Sequence, residues 1–133
     1  MVEYYTNRHS CYLLQYHLVL ITKYRHPVIV NELEKYLKEY IYSYFKKQKC
    51  NIIELETNLD YVHILFECSP NIKLSEFINT FKSASSRIIR NNFKEELKPY
   101  YWKPYFWSNS YFIATVSEIS TAIVQKYIQD QKK

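Results

Sequence analysis

The tract Asp60-Tyr61-Val62-His63-Ile64-Leu65-Phe66 contains half of a metal-binding pattern. In a β-strand, residues i and i+2 lie on the same face. A His-x-His triplet in such a strand would direct two imidazoles at one divalent metal ion. Here Tyr61 occupies the first of those positions, and a neutral phenol is a poor ligand at pH 7. His63 is therefore a candidate metal ligand, with Tyr61 at a degenerate ligand position.

A non-catalytic interpretation of His63 also fits the sequence. A single histidine among Val62, Ile64, Leu65 and Phe66 is typical of a half-buried, hydrogen-bonded strand residue. The nearby carboxylates could complete a metal site or simply be solvated, and they are Glu54, Glu56 and Asp60. The spacing alone leaves both interpretations open.

Tyr127 and Gln131 form a second candidate pair near the end of the chain. Residues four apart on a helix project from the same side. A tyrosine hydroxyl can act as a covalent nucleophile, and an amide oxygen one turn away can bind a hard metal ion. However, Tyr127 also falls in an apolar stripe with Ile123, Val124 and Ile128, as a core tyrosine would.

Two further features are compatible with a nucleic-acid partner. Arg87, Arg90 and Lys94 project from one side of a predicted helix and could contact phosphates, although basic helix faces are often only solvated. In the segment 100–112, eight of thirteen residues are aromatic. They are Tyr100, Tyr101, Trp102, Tyr105, Phe106, Trp107, Tyr111 and Phe112. Such residues suit base stacking on single strands and equally suit a core or a dimer interface, and we expect both uses.

The elements that must position these residues follow from periodicity and turn chemistry. Strands are predicted over Tyr12–Lys23, Asn51–Thr57, Tyr61–Cys68 and Tyr105–Val116. Helices are predicted from Asn31 to about Lys46–Lys49, from an N-cap at Ser75, and from a cap at Ser117 or Ser120 to about Gln131. The order β-α-β-β-α-β-α predicts an α+β, ferredoxin-like sandwich: a mostly antiparallel sheet, two packing helices and a C-terminal helix that carries Tyr127.

Length and composition limit the class of protein. The 133 residues predict one domain over 1–133. No apolar segment of membrane-spanning length and no signal pattern is present, so we expect a soluble, cytoplasmic protein. Cys11, Cys50 and Cys68 share no metal-ligand spacing and are expected to be reduced. Glycine is absent, which excludes glycine-rich phosphate loops and predicts tight turns made by Asn, Asp, Pro or Ser.

Taken together, five tracts resemble the small single-tyrosine transposases of the IS200/IS605 (HUH-like) type, in family order and spacing. The first tract, near the start, combines Tyr16-His17-Leu18-Val19 with Thr22-Lys23-Tyr24-Arg25-His26-Pro27-Val28. The middle of the chain has Asp60-Tyr61-Val62-His63-Ile64-Leu65 and Phe81-Lys82-Ser83-Ala84-Ser85-Ser86-Arg87. The last are Trp107-Ser108-Asn109-Ser110-Tyr111-Phe112 and Val124-Gln125-Lys126-Tyr127-Ile128-Gln129-Asp130-Gln131.

The resemblance implies a homodimer that cuts and rejoins single-stranded DNA at the hairpin ends of a mobile element. Tyr127 would attack the scissile phosphate, leaving a 5′-phosphotyrosine link and a free 3′-OH. A divalent metal, Mg²⁺ or Mn²⁺, would be held by a His-x-His pair and by Gln131, and would polarise the phosphate. The tyrosine helix of this family is able to complete the active site of the partner subunit.

This sequence departs from the family pattern at three places. Tyr61 replaces the first histidine, Ser83 stands where many members carry glycine, and Lys103-Pro104-Tyr105 replaces a glycine-rich turn. The leading hypothesis is an active transposase with Tyr127 as nucleophile, His63 and Gln131 as metal ligands, and Arg87, Arg90, Lys94 and the aromatic tract as DNA contacts. The alternative is a catalytically impaired protein that still binds hairpin or single-stranded DNA. A third possibility is a ferredoxin-like dimer or RNA-binding module without a role in transposition.

Overall fold

A computed structural model describes residues 5–6, 11–12, 14–116 and 121–131 of the chain. Its strands are β1 (Tyr5–Thr6), β2 (Cys11–Tyr12), β3 (Gln15–Ile21), β4 (Asn51–Thr57), β5 (Tyr61–Glu67) and β6 (Phe112–Thr115). Its helices are α1 (Asn31–Lys47), α2 (Leu74–Asn92), α3 (Lys94–Leu97) and α4 (Thr121–Asp130), with a 3-10 turn at Lys23–Arg25.

Four strands form the main sheet in the order β4-β5-β3-β6, and each neighbouring pair is antiparallel. The short strands β1 and β2 pair separately. From β3 onward the order is β-α-β-β-α-β, with α3 added after α2, and α4 follows β6. The predicted α+β, ferredoxin-like plan is therefore confirmed. Strands β3 and β5 lie at the centre of the sheet, so side chains on them are held by neighbours on both sides.

The main hydrophobic core lies between one face of the sheet and helices α1 and α2. Leu18 and Leu20 of β3 alternate into this layer, as period-2 patterning requires. Both helices bury their apolar stripes here, including Leu37 and Ile41 of α1 and Phe81 of α2. Aromatic rings fill the centre, in edge-on contacts such as those between Phe45, Phe66, Phe77 and Phe81.

The opposite face of the sheet is covered in part by α4. Val19 and Ile21 of β3 and Tyr61 of β5 form a second buried cluster with Val124 and Ile128 of this helix. Residues on β3 thus alternate between two cores, with Leu18 and Leu20 under α1 and α2, and Val19 and Ile21 under α4. The helix that carries Tyr127 consequently packs on the sheet face opposite α1 and α2.

Several predicted boundaries are wrong in ways that have a local cause. Helix α2 begins at Leu74, and its N-cap Lys73 makes no side-chain cap, so Ser75 lies inside the helix. The strand predicted over Tyr105–Val116 is reduced to Phe112–Thr115, because the earlier aromatics pack into the core from irregular backbone. The predicted caps Ser117 and Ser120 lie outside the described residues.

The residues that adopt left-handed backbone in this glycine-free chain differ from the predicted types. Four residues have left-handed backbone: Tyr24 (φ 59°), Arg25 (φ 54°), Asn31 (φ 52°) and Lys49 (φ 60°). Only Asn31 belongs to the residue types expected there, so the prediction that Asn, Asp, Pro or Ser make every tight turn is wrong. Such backbone is unfavourable for residues with long side chains and needs compensating contacts.

The structure describes the side chains of two of the three cysteines, and the lengths of the helices. Cys50 and Cys68 are buried and make no disulfide. Among the described helices, none is long and apolar enough to span a membrane.

Candidate active site

Two histidines meet on the sheet face that α4 covers. The register pairs Val19 of β3 with His63 of β5, and His17 with Leu65, so the two histidines are diagonal neighbours on adjacent strands. Their rings stack with centroids 5.1 Å apart. Nδ1 of His17 and Nε2 of His63 are 2.9 Å apart and share a hydrogen bond. His63 therefore has an imidazole partner, and it comes from β3.

Burial favours the neutral form of both imidazoles. Desolvation lowers the pKa of His17, and the nearby Glu54 carboxylate opposes this by raising it. Desolvation also lowers the pKa of His63, His17 lowers it further, and Glu56 and Glu54 act in the opposite direction. A neutral imidazole carries one N–H and one lone pair, so one histidine can donate to the other. The neutral form is also the one that binds metals.

Tyr61 does not fit the role of the missing histidine. The residue is buried, and its hydroxyl donates to Oε1 of Glu56 at 3.2 Å and accepts from Nδ2 of Asn58 at 3.5 Å. A phenol engaged in this way adds no imidazole to His63. Among the described residues, no group of three His, Cys, Asp or Glu side chains is arranged to hold a metal ion. His17 and His63 offer two imidazole nitrogens at this face, a donor type that binds divalent transition metals.

Tyr127 lies on the same face of the sheet as this histidine pair. It is half-buried, and its ring contacts that of Phe112 with centroids 4.9 Å apart. Phe112, Val19 and His63 stand opposite one another on β6, β3 and β5. Tyr127 therefore packs on Phe112 at the β6 end of this row. His63 lies two strands from Phe112, about 10 Å across the sheet. Of the predicted stripe, Val124 and Ile128 are buried, whereas Ile123 is exposed.

Arg25 joins the end of α4 to the turn that precedes Tyr61. Its Nη1 donates to the carbonyl oxygens of Ile128 at 2.7 Å and Gln131 at 3.1 Å. Its Nε donates to Oδ2 of Asp60 at 2.9 Å. A guanidinium at a helix C-terminus satisfies free carbonyls and interacts favourably with the helix dipole. Arg25 thus fixes α4 and the half-buried Gln131 relative to the β4–β5 hairpin.

Sequence reasoning missed His17 and Arg25 as site residues. Both lie within the quoted tracts, at Tyr16–Val19 and Thr22–Val28, and His17 falls in a predicted strand. The alternation of side chains along β3 could have indicated His17, because it puts His17 on the same sheet face as Val19 and Ile21. What the sequence lacks is the strand pairing that brings His17 to His63, and the docking of α4 on Arg25.

The predicted DNA-contacting residues lie elsewhere, on the α2 side of the molecule. Arg87 is exposed, Arg90 is half-exposed, and Lys94 is exposed at the start of α3. The structure therefore does not bring Arg87, Arg90 and Lys94 together with His63 and Tyr127, since α2 and α4 cover opposite sheet faces.

A groove of about 420 Å³ runs between α2 and the segment 104–109. Its charged lining consists of Lys82, Arg87 and Arg90. Nζ of Lys82 donates to the carbonyl of Asn109 at 3.1 Å and lies 5.6 Å from the centre of the Tyr111 ring. Tyr111 immediately precedes the edge strand β6, so the basic groove ends beside the edge of the sheet.

The aromatic tract 100–112 has two kinds of residue. Tyr101, Phe106 and Trp107 are buried, and the Trp107 Nε1 donates to the buried Ser85 hydroxyl at 2.9 Å. Trp102 is 87% exposed, with Nζ of Lys103 4.9 Å from its ring centre. The expected use of this tract in the core is confirmed, and stacking on bases remains a prediction for the exposed rings.

Comparison with known proteins assigns the chain to a family. Residues 10–131 match the family described as "Transposase IS200 like". The ISDra2 transposase TnpA of Deinococcus radiodurans is 35% identical over 98% of this chain and 92% of its own length. The transposase of insertion sequence element IS200 from Salmonella typhimurium is 29% identical over 92% of this chain and 80% of its own length.

Solved structures agree with this assignment. A crystal structure of a Deinococcus radiodurans R1 protein assigned as a transposase superimposes with a TM-score of 0.86 at 34% identity, covering 96% of this chain and 98% of that one. A REP-associated tyrosine transposase bound to a REP hairpin shares the fold, with a TM-score of 0.51 at 10% identity over 86% of this chain and 62% of that one. With a matching family over nearly the whole chain, a relative at 35% identity and a common fold, this protein belongs to the IS200-like transposases.

Proposed function

We propose that this protein binds the hairpin ends of a mobile element and cleaves and rejoins single-stranded DNA through a 5′-phosphotyrosine intermediate. The observation that carries the proposal is the packing of Tyr127 against Phe112, on the sheet face where His63 lies. A nucleophile and a metal-binding imidazole about two strands apart leave room for a phosphodiester between them. Family membership supports the same activity.

In the proposed reaction, the Tyr127 hydroxyl oxygen attacks the scissile phosphorus and loses its proton. The bond between phosphorus and the 3′ oxygen breaks, and the 3′ oxygen leaves as a hydroxyl. The DNA 5′ phosphate stays joined to Tyr127, so the energy of the phosphodiester is conserved. Attack by another 3′-OH then reseals the strand and frees Tyr127 without ATP.

A divalent cation, Mg²⁺ or Mn²⁺, would polarise the phosphate oxygens when bound, with His63 and Gln131 as proposed ligands. Arg25 positions Gln131, because it holds the carbonyl of that residue at 3.1 Å. Tyr127 is half-buried where α4 packs against Phe112, which would limit the access of water to the nucleophile. Limited access of water would protect the covalent link from hydrolysis.

We further propose that Arg87, Arg90 and Lys94 contact DNA phosphates, and that exposed rings such as Trp102 stack on unpaired bases. The groove that contains Arg87 and Arg90 is basic and open, which suits a phosphate backbone. Residues 1–133 are proposed to act as one transposase domain, as a homodimer, in the cytoplasm where the DNA substrate is found. Light scattering of the protein with and without hairpin DNA would test the dimer.

The test of the reaction is a Tyr127-dependent covalent adduct. Labelled single-stranded oligonucleotides from the DNA that flanks the gene are incubated with protein and Mg²⁺ or Mn²⁺, and the adduct is resolved on a denaturing gel. Wild type should form it and Tyr127→Phe should not. Tyr42→Phe is the matched control, because Tyr42 is an exposed tyrosine of α1 on the other side of the sheet. The absence of an adduct with wild type under every metal condition would contradict the proposed reaction.

A second candidate function is hairpin binding without cleavage. It is favoured by Tyr61, whose side chain has no metal-binding nitrogen. The Tyr61 hydroxyl is also engaged in a hydrogen bond to Glu56. An impaired protein of this kind would shift hairpin DNA in a gel and never cut it. A protein without any role in transposition would instead show no preference for hairpin single-stranded DNA over duplex DNA or RNA.

A further inference from the structure

We propose that His17 and His63 together bind one divalent transition-metal ion, with the second imidazole supplied by β3 instead of position 61. The proposal assigns the missing ligand of the proposed active site to a residue on another strand. Its catalytic use rests on the proposed function, whereas the binding of the ion can be tested by itself.

The distance between the two ring nitrogens suits a shared ion. Nδ1 of His17 and Nε2 of His63 are 2.9 Å apart. Two imidazole nitrogens bound to one ion at about 2.1 Å, at angles between 90° and tetrahedral, are separated by roughly 3.0 to 3.4 Å. The pair therefore needs only a small opening to admit an ion between its nitrogens.

The shared hydrogen bond must be replaced when the ion binds. One facing nitrogen carries the proton, and the other accepts it. A neutral imidazole can move its proton to the other ring nitrogen, so both facing nitrogens can present lone pairs without a net change in charge. Binding thus exchanges one N–H···N contact for two metal–nitrogen bonds.

The backbone holds this pair in place from both sides. His17 on β3 is flanked by Leu65 of β5 and Ala114 of β6. His63 on β5 is flanked by Val19 of β3 and Glu56 of β4. Both histidines therefore lie on central strands, where the relative position of the rings is fixed by register. The neighbour on β6, Ala114, has a small side chain.

The remaining donors can be water, Gln131 or substrate oxygen. Glu54 and Glu56 stand opposite Leu65 and His63 on β4, and they bring negative charge close to the pair. Among the described residues, no third His, Cys, Asp or Glu joins the pair at ligand distance. A site with two fixed imidazoles and open positions is the arrangement that lets a phosphate reach the ion.

The donor set also predicts which ion binds. Imidazole nitrogen binds Co²⁺ and Zn²⁺ more tightly than Mn²⁺, whereas Mg²⁺ prefers oxygen ligands in a regular octahedron. We therefore expect the pair to bind Co²⁺ and Zn²⁺ most tightly, Mn²⁺ less tightly and Mg²⁺ most weakly.

Direct titration of the full chain with Mn²⁺, followed by electron paramagnetic resonance without DNA, tests the site. His17→Phe and His63→Phe keep a ring and remove the nitrogens. Each should weaken Mn²⁺ binding at least about tenfold, since even residues that only orient a ligand contribute 10- to 100-fold. His26→Phe is the matched control, because His26 packs against Tyr100 and Tyr101 away from the pair. Mn²⁺ binding by His17→Phe equal to that of wild type would overturn the proposal.

A second measurement does not depend on how the variants fold. In ¹⁵N spectra of the histidine rings with and without Zn²⁺, Nδ1 of His17 and Nε2 of His63 should both shift. A shift confined to His63, or no shift at saturating Zn²⁺, would overturn the shared site.

The failure of this proposal can be distinguished from the failure of the proposed function. Suppose that wild type forms the Tyr127-dependent adduct and that His17→Phe binds Mn²⁺ as tightly as wild type. This result would support the proposed function and contradict the metal site at His17. Mn²⁺ binding that needs both histidines, in a protein that never forms the adduct, would support the site and contradict the reaction.

Discussion

At the scale of single residues, positions 61 and 17 decide which donors the candidate site can offer to a metal ion. Tyr61 is buried and hydrogen-bonded to Glu56, so it contributes packing and holds a carboxylate near His63. His17 contributes the second imidazole from the neighbouring strand. The chain therefore keeps two histidines at the candidate site, although the linear His-x-His pattern is lost.

Restoring the missing histidine should strengthen the site. Tyr61→His puts a third imidazole on the same strand face as His63, so Mn²⁺ affinity should rise at least about tenfold, by analogy with the loss on ligand removal. Electron paramagnetic resonance titration measures the change.

Tyr61→Phe is the control for this experiment, since it removes the hydroxyl and adds no nitrogen. A rise in affinity with Tyr61→Phe equal to that with Tyr61→His would show that the phenol obstructs the site, and would contradict the ligand explanation.

A second prediction at this scale concerns the stability role of Ser85, in the tract that resembles the family. The Ser85 hydroxyl is fully buried, donates to the carbonyl of Phe81 at 2.6 Å and accepts from Nε1 of Trp107. Ser85→Ala leaves the Trp107 N–H without its partner, so the free energy of unfolding should fall by about 1 to 3 kcal/mol. Urea denaturation measures it.

Ser83→Ala is the matched control on the same helix, because Ser83 is exposed. Its effect should stay within about 0.5 kcal/mol of wild type. Equal losses for Ser83→Ala and Ser85→Ala would contradict the buried hydrogen-bond explanation.

At the scale of elements, the candidate site depends on how α4 is attached to the sheet. Val124 and Ile128 are buried against the sheet, Tyr127 contacts Phe112, and the Arg25 guanidinium holds the carbonyls at the end of the helix. Left-handed backbone at Tyr24 and Arg25 directs this side chain to the end of α4 and to Asp60. The strain of that turn is thus offset by three hydrogen bonds.

Removing the guanidinium should loosen α4. Arg25→Ala deletes hydrogen bonds from a charged donor, each worth about 1.5 to 3 kcal/mol, so the amides of Val124 and Ile128 should exchange with solvent at least about tenfold faster. Arg25→Lys should give an intermediate effect, because lysine keeps the charge and loses the fork of donors. Hydrogen exchange followed by NMR measures both.

Arg87→Ala provides the control for this experiment, as Arg87 is an exposed arginine on α2. Unchanged exchange of the α4 amides in Arg25→Ala would contradict the role of Arg25 in attaching the helix.

At the scale of the whole molecule, the functional residues are divided between the two sides of the sheet. The histidine pair lies on the sheet face against which α4 packs, with Tyr127 on that helix, and the basic groove lies along α2. A DNA substrate that uses both would have to pass the β6 edge, where Lys82 contacts Tyr111 just before the strand begins. The two sides can therefore be tested separately: the α4 side by cleavage of DNA, and the α2 side by binding of DNA.

Binding through Arg87 and Arg90 of the groove, and through Lys94 of the neighbouring pocket that Arg90 also lines, should depend on salt in proportion to the number of phosphates contacted. The triple variant Arg87→Ala, Arg90→Ala, Lys94→Ala should reduce the slope of log K against log salt by about 2 to 3, since each contact contributes about 0.7 to 0.9. Fluorescence anisotropy of a labelled hairpin at several salt concentrations measures the slope.

A triple variant of Lys35, Lys46 and Lys47 to alanine removes the same charge from exposed positions of α1. It should leave the slope nearly unchanged. Equal changes in both variants would indicate a general effect of net charge and would contradict a specific groove.

The sequence by itself determined the order of the elements and the family. Helical periodicity identified α1 and α2, and the composition of β4 and β5 together with Asn58-Leu59-Asp60 identified the hairpin. These features are local, because burial of one face imposes its period on the sequence that forms it. The prediction failed over 105–111, where aromatic residues favour a strand and instead pack from irregular backbone into a core formed by distant elements.

Only the tertiary structure decided which residues meet at the candidate site. His17 and His63 are 46 positions apart, and Arg25 reaches carbonyls more than a hundred positions away. Strand register and helix docking bring such residues together, and both are fixed by the packing of whole faces. Neither leaves a pattern within a single segment. For this reason the sequence identified a lone histidine beside a tyrosine, and the fold supplied the second imidazole.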